Sequence, residues 1–248
     1  MVKTIVRRGM LTGAAIVGLE AAYAVLRPSP DLPSYDPTGE FGDPAQPLLK
    51  VAALGDSSIM APGVDDAGEI WISLVCRRLA EQRHVVLQSF AVGGARARDV
   101  LADQVDAAVA SQPDLIFLSV GANDALKGVS LASFTRDLDQ VVERLSATEA
   151  TIVQSGVGVL GMIPRLYPPL STFFSWRAER FDAAHREVAA RYGTSVVDHR
   201  SDNVALWYSD RSLWADDLFH VSAAGHARWS ETTWRTLGPL MNGSSEAN

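Results

Sequence analysis

The 248-residue chain predicts an α/β fold, a three-layer α/β/α sandwich around a five-stranded parallel sheet. Three observations lead there. Short apolar runs rich in β-branched residues alternate five times with segments of helical periodicity, the order of a sheet built by crossover connections. The third run, residues 114–120, is apolar almost throughout, as a strand covered on both faces requires. A composition of 47% hydrophobic and 21% charged residues suits one domain with a sizeable core and leaves little chain for a second.

Taken in order, the chain starts with a segment unlike the rest. Lys3, Arg7 and Arg8 precede an apolar run from Met10 to Leu19, and a second run follows Glu20 from Ala21 to Leu26. A basic start, an apolar stretch and the small-x-small triplet Ala22, Tyr23, Ala24 make residues 1–26 a signal peptide or membrane anchor, with a loose twin-arginine character at Arg7 and Arg8. The expected localisation is exported, either secreted or anchored on the extracytoplasmic side. Residues 27–48 hold six of the twelve prolines. Proline lacks the N–H that a helix or central strand needs, so this stretch reads as an extended linker. The folded domain is expected over 49–240, and a flexible tail over 241–248.

The first strand, residues 50–55, ends in Gly55, Asp56 and Ser57, and a helix at 69–82 follows. A second strand, 84–92, ends in Gly93 and Gly94. In the helix at 95–110, Val100, Leu101, Val105, Ala108 and Val109 recur at helical spacing. Strand 114–120 runs into Gly121, Ala122, Asn123 and Asp124. A helix at 131–146, a strand at 151–155, a helix at 176–192, a strand at 194–198 and a helix at 222–237, capped by Ser222, complete the pattern. In a parallel sheet the first three strand ends lie at one edge, where open α/β sheets bind their ligands. The polar and glycine-rich segments after them therefore converge.

Composition excludes some functions. A net charge of −7 with scattered Lys and Arg does not suit a nucleic-acid binder. Cys76 is the single cysteine, which rules out an intramolecular disulfide and a cysteine-based zinc site, and it reads as a small buried hydrophobe. Neither a phosphate loop nor a Gly-x-Gly-x-x-Gly fingerprint follows the first strand, and no cofactor is expected.

A serine hydroxyl is a poor nucleophile near neutral pH and needs a general base that a third group orients. Near the C-terminus, Asp217 and His220 stand three residues apart, close enough for the carboxylate to hold one imidazole nitrogen while the other turns to a serine. With these residues the chain resembles the SGNH hydrolases, the GDSL esterase/lipase family. Four short motifs occur in the family's order: Gly55-Asp56-Ser57, Gly94 in its glycine block, Asn123 after Gly121, and Asp217 through His220. The resemblance implies a flavodoxin-like fold and a serine esterase or lipase working through an acyl-enzyme. Ser57 would be the nucleophile, His220 the base and Asp217 its orienter. The oxyanion hole would come from Ser57, Gly94 and Asn123. Two departures concern subfamily and substrate: Ser89 to Val92 lack the family's asparagine, and Val221 replaces its usual proline.

Other residues have plainer readings. Ser58 is a structural neighbour, Asp216 a solvated charge, Arg96 and Arg98 a surface helix face, and His226 a packed or surface histidine. His84, His185 and His199 lack a carboxylate at the same spacing, and no second ligand-rich element supports a metal at Asp216, Asp217, His220 and His226. Leu166, Tyr167, Leu170, Phe173, Phe174 and Trp176 are either an apolar lip for an acyl chain or a loop packed on the core. The expected partner is a small or lipid-like ester, with a possible membrane tether. Alternatives are an acyltransferase or deacetylase acting on a sugar or other alcohol with the same site, and a noncatalytic anion-binding module.

Overall fold

A computed structural model describes residues 26–243 together with Glu20 and Tyr23. The signal or anchor expected at 1–26 falls almost wholly outside the described residues, as does most of the tail. Among the described residues, no helix is long and apolar enough to cross a membrane.

The sheet has six strands in the order β1-β3-β2-β4-β5-β6: β1 Gly39–Phe41, β2 Leu48–Gly55, β3 His84–Ser89, β4 Leu115–Ser119, β5 Thr151–Ser155 and β6 Ser195–Val197. Strands β2 to β6 are parallel, as expected. The expected count of five is corrected by β1, which runs antiparallel to β3 and pairs Glu40 with Val86. It lies inside the stretch read as linker. Three residues between prolines carry no alternation to detect, and an edge strand tolerates neighbouring prolines that a central one would not.

Alternation along the central strands divides the core in two. From β2, Ala52 and Leu54 face one side and Val51 and Ala53 the other, and from β4, Ile116 and Leu118 oppose Leu115 and Phe117. The first side packs against α3 (Ala97–Asp103), α4 (Val105–Ala110), α6 (Leu131–Leu145) and α7 (Leu170–Tyr192). The second packs against α1 (Ser57–Met60), α2 (Trp71–Leu79) and α9 (Ala223–Gly243). This is the three-layer arrangement. Two short helices complete it at the carboxyl edge of the sheet, α5 (Ala122–Leu126) and α8 (Val204–Ser209).

Two helices differ from expectation in ways that matter for the site. The helix expected at 95–110 breaks at Gln104, whose buried side chain leaves the helix surface for the end of β2. Helix α7 begins at Leu170, so part of the expected apolar loop is its first turns. Pro168 and Pro169 precede it, where missing N–H groups cost a helix nothing.

Candidate active site

Gly55 ends β2 opposite Ser119, and a Cβ there would lie 2.0 Å from the Ser119 carbonyl oxygen, so only glycine lets the strands meet. Gln104 holds both sides of this glycine, accepting from its N–H at 2.8 Å and donating to its carbonyl at 2.9 Å. Asp56 then caps α1. One carboxylate oxygen accepts the Ser58 N–H at 2.9 Å, and the other accepts the Asn123 amide at 3.0 Å. Burial pushes the Asp56 carboxyl up, against those two bonds and the nearby His220. Ser58 is tied down as well: its hydroxyl meets that of Ser119 at 2.6 Å, and its carbonyl accepts the Trp71 indole N–H at 2.9 Å. Gly55, Asp56 and Ser58, the residues on either side of Ser57, are thus each bonded in place. The Ser57 N–H and hydroxyl themselves have no partner among the described residues, and the N–H stands at a helix start, where no intrahelical acceptor exists.

The base end of the site is a tight turn. The Ala215 and His220 backbones bond at 2.8 Å, and Leu218 takes a left-handed φ of 62° to close it. This brings the Phe219 and His220 N–H groups onto one Asp217 oxygen, each at 2.9 Å, and leaves the other oxygen on His220 Nδ1 at 2.6 Å. A carboxylate only accepts, so Nδ1 carries the ring hydrogen and Nε2 is left with its lone pair. Burial acts to raise the Asp217 carboxyl, but the bonds from His220 and the two backbone N–H groups outweigh it and hold it below the usual range.

Ser57, Asn123 and His220 line one cavity of about 140 Å³ at the carboxyl edge of the sheet. Ser57 and His220, 163 positions apart in the chain, are thereby brought to one cavity. No hydrogen bond joins the Ser57 hydroxyl to His220 Nε2; bonds of this kind tighten when substrate binds. Gly94 sits in the turn after β3 with φ of 79°, its carbonyl accepting Lys127 Nζ at 2.8 Å, and is not part of the cavity lining.

The remaining candidates fall elsewhere. Arg96 and Arg98 both pair with Asp99, at 3.0 and 3.3 Å, and neither reaches the cavity. Asp216 is exposed. His84 meets Glu40 of β1, and His185 is buried between Gln154 and the Val120 carbonyl. The acyl lip does not form at the site: Leu166 and Phe174 pack on the core, while Tyr167, Phe173 and Trp176 point to solvent. The preceding residues, Val157 to Leu160 with Met162 and Ile163, wall the cavity instead. Sequence reasoning missed Gln104, Trp71 and Ser119 as supports of the nucleophile turn, since each acts through a bond to a residue distant in the chain.

The model of the GDSL-like lipase/acylhydrolase family matches residues 53–228. The chain belongs to this family. Its GDSL relatives include the esterase TesA of Pseudomonas aeruginosa, 28% identical over 205 residues, a match that covers 79% of this chain and 90% of that one. The crystal structure of TesA superposes with a TM-score of 0.65 at 25% identity, over 77% of this chain and 99% of that one. An acetylxylan esterase from Geobacillus stearothermophilus, studied as a catalytic mutant, shares the fold with a TM-score of 0.62 at 18% identity, over 75% and 93% of the two chains. As a GDSL-family member the protein is an SGNH-type carboxylic ester hydrolase.

Proposed function

We propose that the protein hydrolyses carboxylic esters through a Ser57–His220–Asp217 triad and an acyl-enzyme. The observation that carries this reading is the His220–Asp217 bond of 2.6 Å, with the free side of His220 lining the same cavity as Ser57. Ser57 Oγ attacks the ester carbonyl carbon while its proton passes to His220 Nε2. The bond to the alcohol oxygen then breaks, and that oxygen takes the proton from His220. Water attacks the acyl-enzyme next, His220 again accepting the proton and returning it to Ser57 Oγ as the acid leaves.

The negative oxygen of each tetrahedral intermediate would sit between the Ser57 N–H and the Asn123 amide, the two donors whose residues line the cavity; the family resemblance adds the Gly94 N–H, from the turn after β3 that lies outside that lining. An amide nitrogen carries two hydrogens. Asp56 holds one of those on Asn123, which fixes the plane of the group and leaves the other for the oxyanion. The largely apolar lining, with Val157, Leu160, Met162 and Trp214 among it, suits the acyl part of the ester. The basic and apolar pattern of residues 1–26 supports an exported enzyme.

The test is hydrolysis of p-nitrophenyl esters of graded chain length by the whole chain and by Ser57→Ala. Wild type should release nitrophenol and free acid in equal amounts, unaltered by added alcohol, and should label with a fluorophosphonate. An active, unlabelled enzyme, or a Ser57→Ala variant with wild-type turnover, overturns the assignment.

A further inference from the structure

The cavity is not uniformly apolar. Ser155, His199 and His226 also line it, and the triad uses none of them. Their hydrogen bonds decide what each presents. His226 Nδ1 receives the Trp71 backbone N–H at 3.4 Å. A backbone N–H only donates, so Nδ1 is bare and the ring hydrogen sits on Nε2. That nitrogen has no partner among the described residues and opens onto the cavity. Burial, aided by His220, pulls the His226 pKa down to about 3, so the ring is a neutral N–H donor at any ordinary working pH.

The second pair yields to the same accounting. Ser155 Oγ and His199 Nε2 are 2.8 Å apart, and His199 Nδ1 is buried with no partner. Were Ser155 the donor, the ring hydrogen would lie on Nδ1 as a buried N–H without an acceptor, the costlier kind of orphan. With Nε2 as donor, only a lone pair is left over. Burial keeps this ring neutral too, its pKa brought to about 4. The second arrangement releases the Ser155 hydroxyl hydrogen, which then has no acceptor among the described residues.

Two unspent donors therefore face one largely apolar cavity. Both histidine rings contact Trp229, at centroid distances of 5.5 Å for His199, which holds Ser155, and 5.2 Å for His226, so the two rings share a single indole. Ser155 ends β5, two strands across from Gly55. Two inter-strand steps put it about 10 Å from the strand that presents Ser57.

We propose that Ser155 Oγ and His226 Nε2 form an oxygen-binding subsite, which makes the enzyme prefer esters carrying an acceptor oxygen along the chain over all-carbon esters of the same length. The oxygen can be an ether, hydroxyl or carbonyl, and it can belong to the acyl or the alcohol part. This rests on the cavity being where the ester binds. An unfunctionalised chain leaves both donors buried and unpaired, whereas an oxygen placed against the apolar wall loses its own hydrogen bonds. The subsite therefore selects a position as well as a group.

The probes are p-nitrophenyl alkanoates and their analogues with one methylene replaced by an ether oxygen at successive positions. Each kcat/KM is normalised to the hydroxide-catalysed rate of the same ester. A second series carries the oxygen in the alcohol, as acetates of alkanols and oxa-alkanols read by acid release. In the wild-type chain, oxygen at one position should raise normalised kcat/KM roughly three- to tenfold over the all-carbon ester, a hydrogen bond's worth, and lower it elsewhere. In Ser155→Ala or His226→Phe that peak should disappear. The ratio is taken within one protein, so a general loss of turnover cancels, and either variant suffices if the other fails to fold. The series that shows the peak tells which part of the ester enters the subsite. A flat profile in both series, or a peak unchanged in both variants, overturns the subsite and leaves water as the donors' partner, with the triad untouched. Loss of all ester hydrolysis in the wild type would instead overturn the triad reading beneath it.

Discussion

Replacing Asp217 with asparagine keeps the shape of the side chain and reverses its chemistry at one atom. In the wild type, one oxygen accepts the Phe219 and His220 backbone N–H groups and the other accepts His220 Nδ1. Asparagine has a single acceptor. Two backbone donors outweigh one imidazole donor, so the amide oxygen stays on the backbone and the NH2 group lands opposite Nδ1. Two donors cannot face each other, and the ring resolves the clash by moving its hydrogen to Nε2. Nε2 then lacks the lone pair that must take the Ser57 proton. A triad locked in the wrong tautomer loses about ten-thousand-fold in kcat, or roughly 5 kcal/mol of barrier. Both backbone bonds survive, so the fold should too. The assay is the initial rate of p-nitrophenyl butyrate hydrolysis, run beside a thermal melt of each protein. A loss of less than about tenfold, with the melting profile retained, would refute the idea that Asp217 sets the tautomer of His220.

Three further outcomes follow from the same bonds. Asn123→Ala removes an oxyanion donor and frees Asp56 from its cross-link, and kcat should fall about 100- to 1000-fold with little change in KM; steady-state kinetics on one ester measures it. Gln104→Ala leaves the buried Gly55 N–H unpaired and should cost about 2–4 kcal/mol in urea unfolding, the orphaned donor adding to the emptied space. Asp124 accepts the Ala97 N–H at 3.0 Å, yet burial lifts its carboxyl from 3.8 to about 6. Between those values the folded state holds a proton that the unfolded state has lost, so stability falls as pH rises through this window and levels off above it. Asp124→Asn keeps an acceptor for Ala97 and has no such loss. Its stability relative to wild type should improve by up to about 3 kcal/mol between pH 3 and pH 7, and a difference that stays constant across that range would contradict the assignment.

What the sequence made legible follows from how far each signal reaches along the chain. Strand β4 could be read because its apolar run is local and its burial on both faces leaves no alternation to interpret. The turn from Asp217 to His220 could be read because four consecutive residues contain the whole motif, and the structure adds only that Asp217 also holds two backbone N–H groups. Strand β1 could not, since three residues at an edge are strand only by virtue of the partner they meet in β3. The apolar stretch around Phe173 shows the limit from the other side. Large apolar groups signal that they need cover, but whether that cover is a core, a ligand or another surface depends on which way a helix face turns, and α7 turns Phe174 inward and Phe173 out.

His226 gives the sharpest case of what lies beyond local reading. In sequence it is one histidine in the first turn of a helix, with nothing near it to assign a role. Its character comes from Trp71, 155 positions earlier, whose backbone N–H chooses its tautomer and whose indole also holds the carbonyl of Ser58 beside the nucleophile. One residue of the core thus ties the nucleophile turn to a donor inside the cavity. Replacing the Trp71 side chain with Phe would keep the backbone N–H on His226 but remove the indole bond to Ser58. If preorganisation of the turn contributes to catalysis, Trp71→Phe should lower kcat across all esters alike while leaving the position of any oxygen preference unchanged. A shift in that preference would show that the indole, and not only its backbone, shapes the cavity.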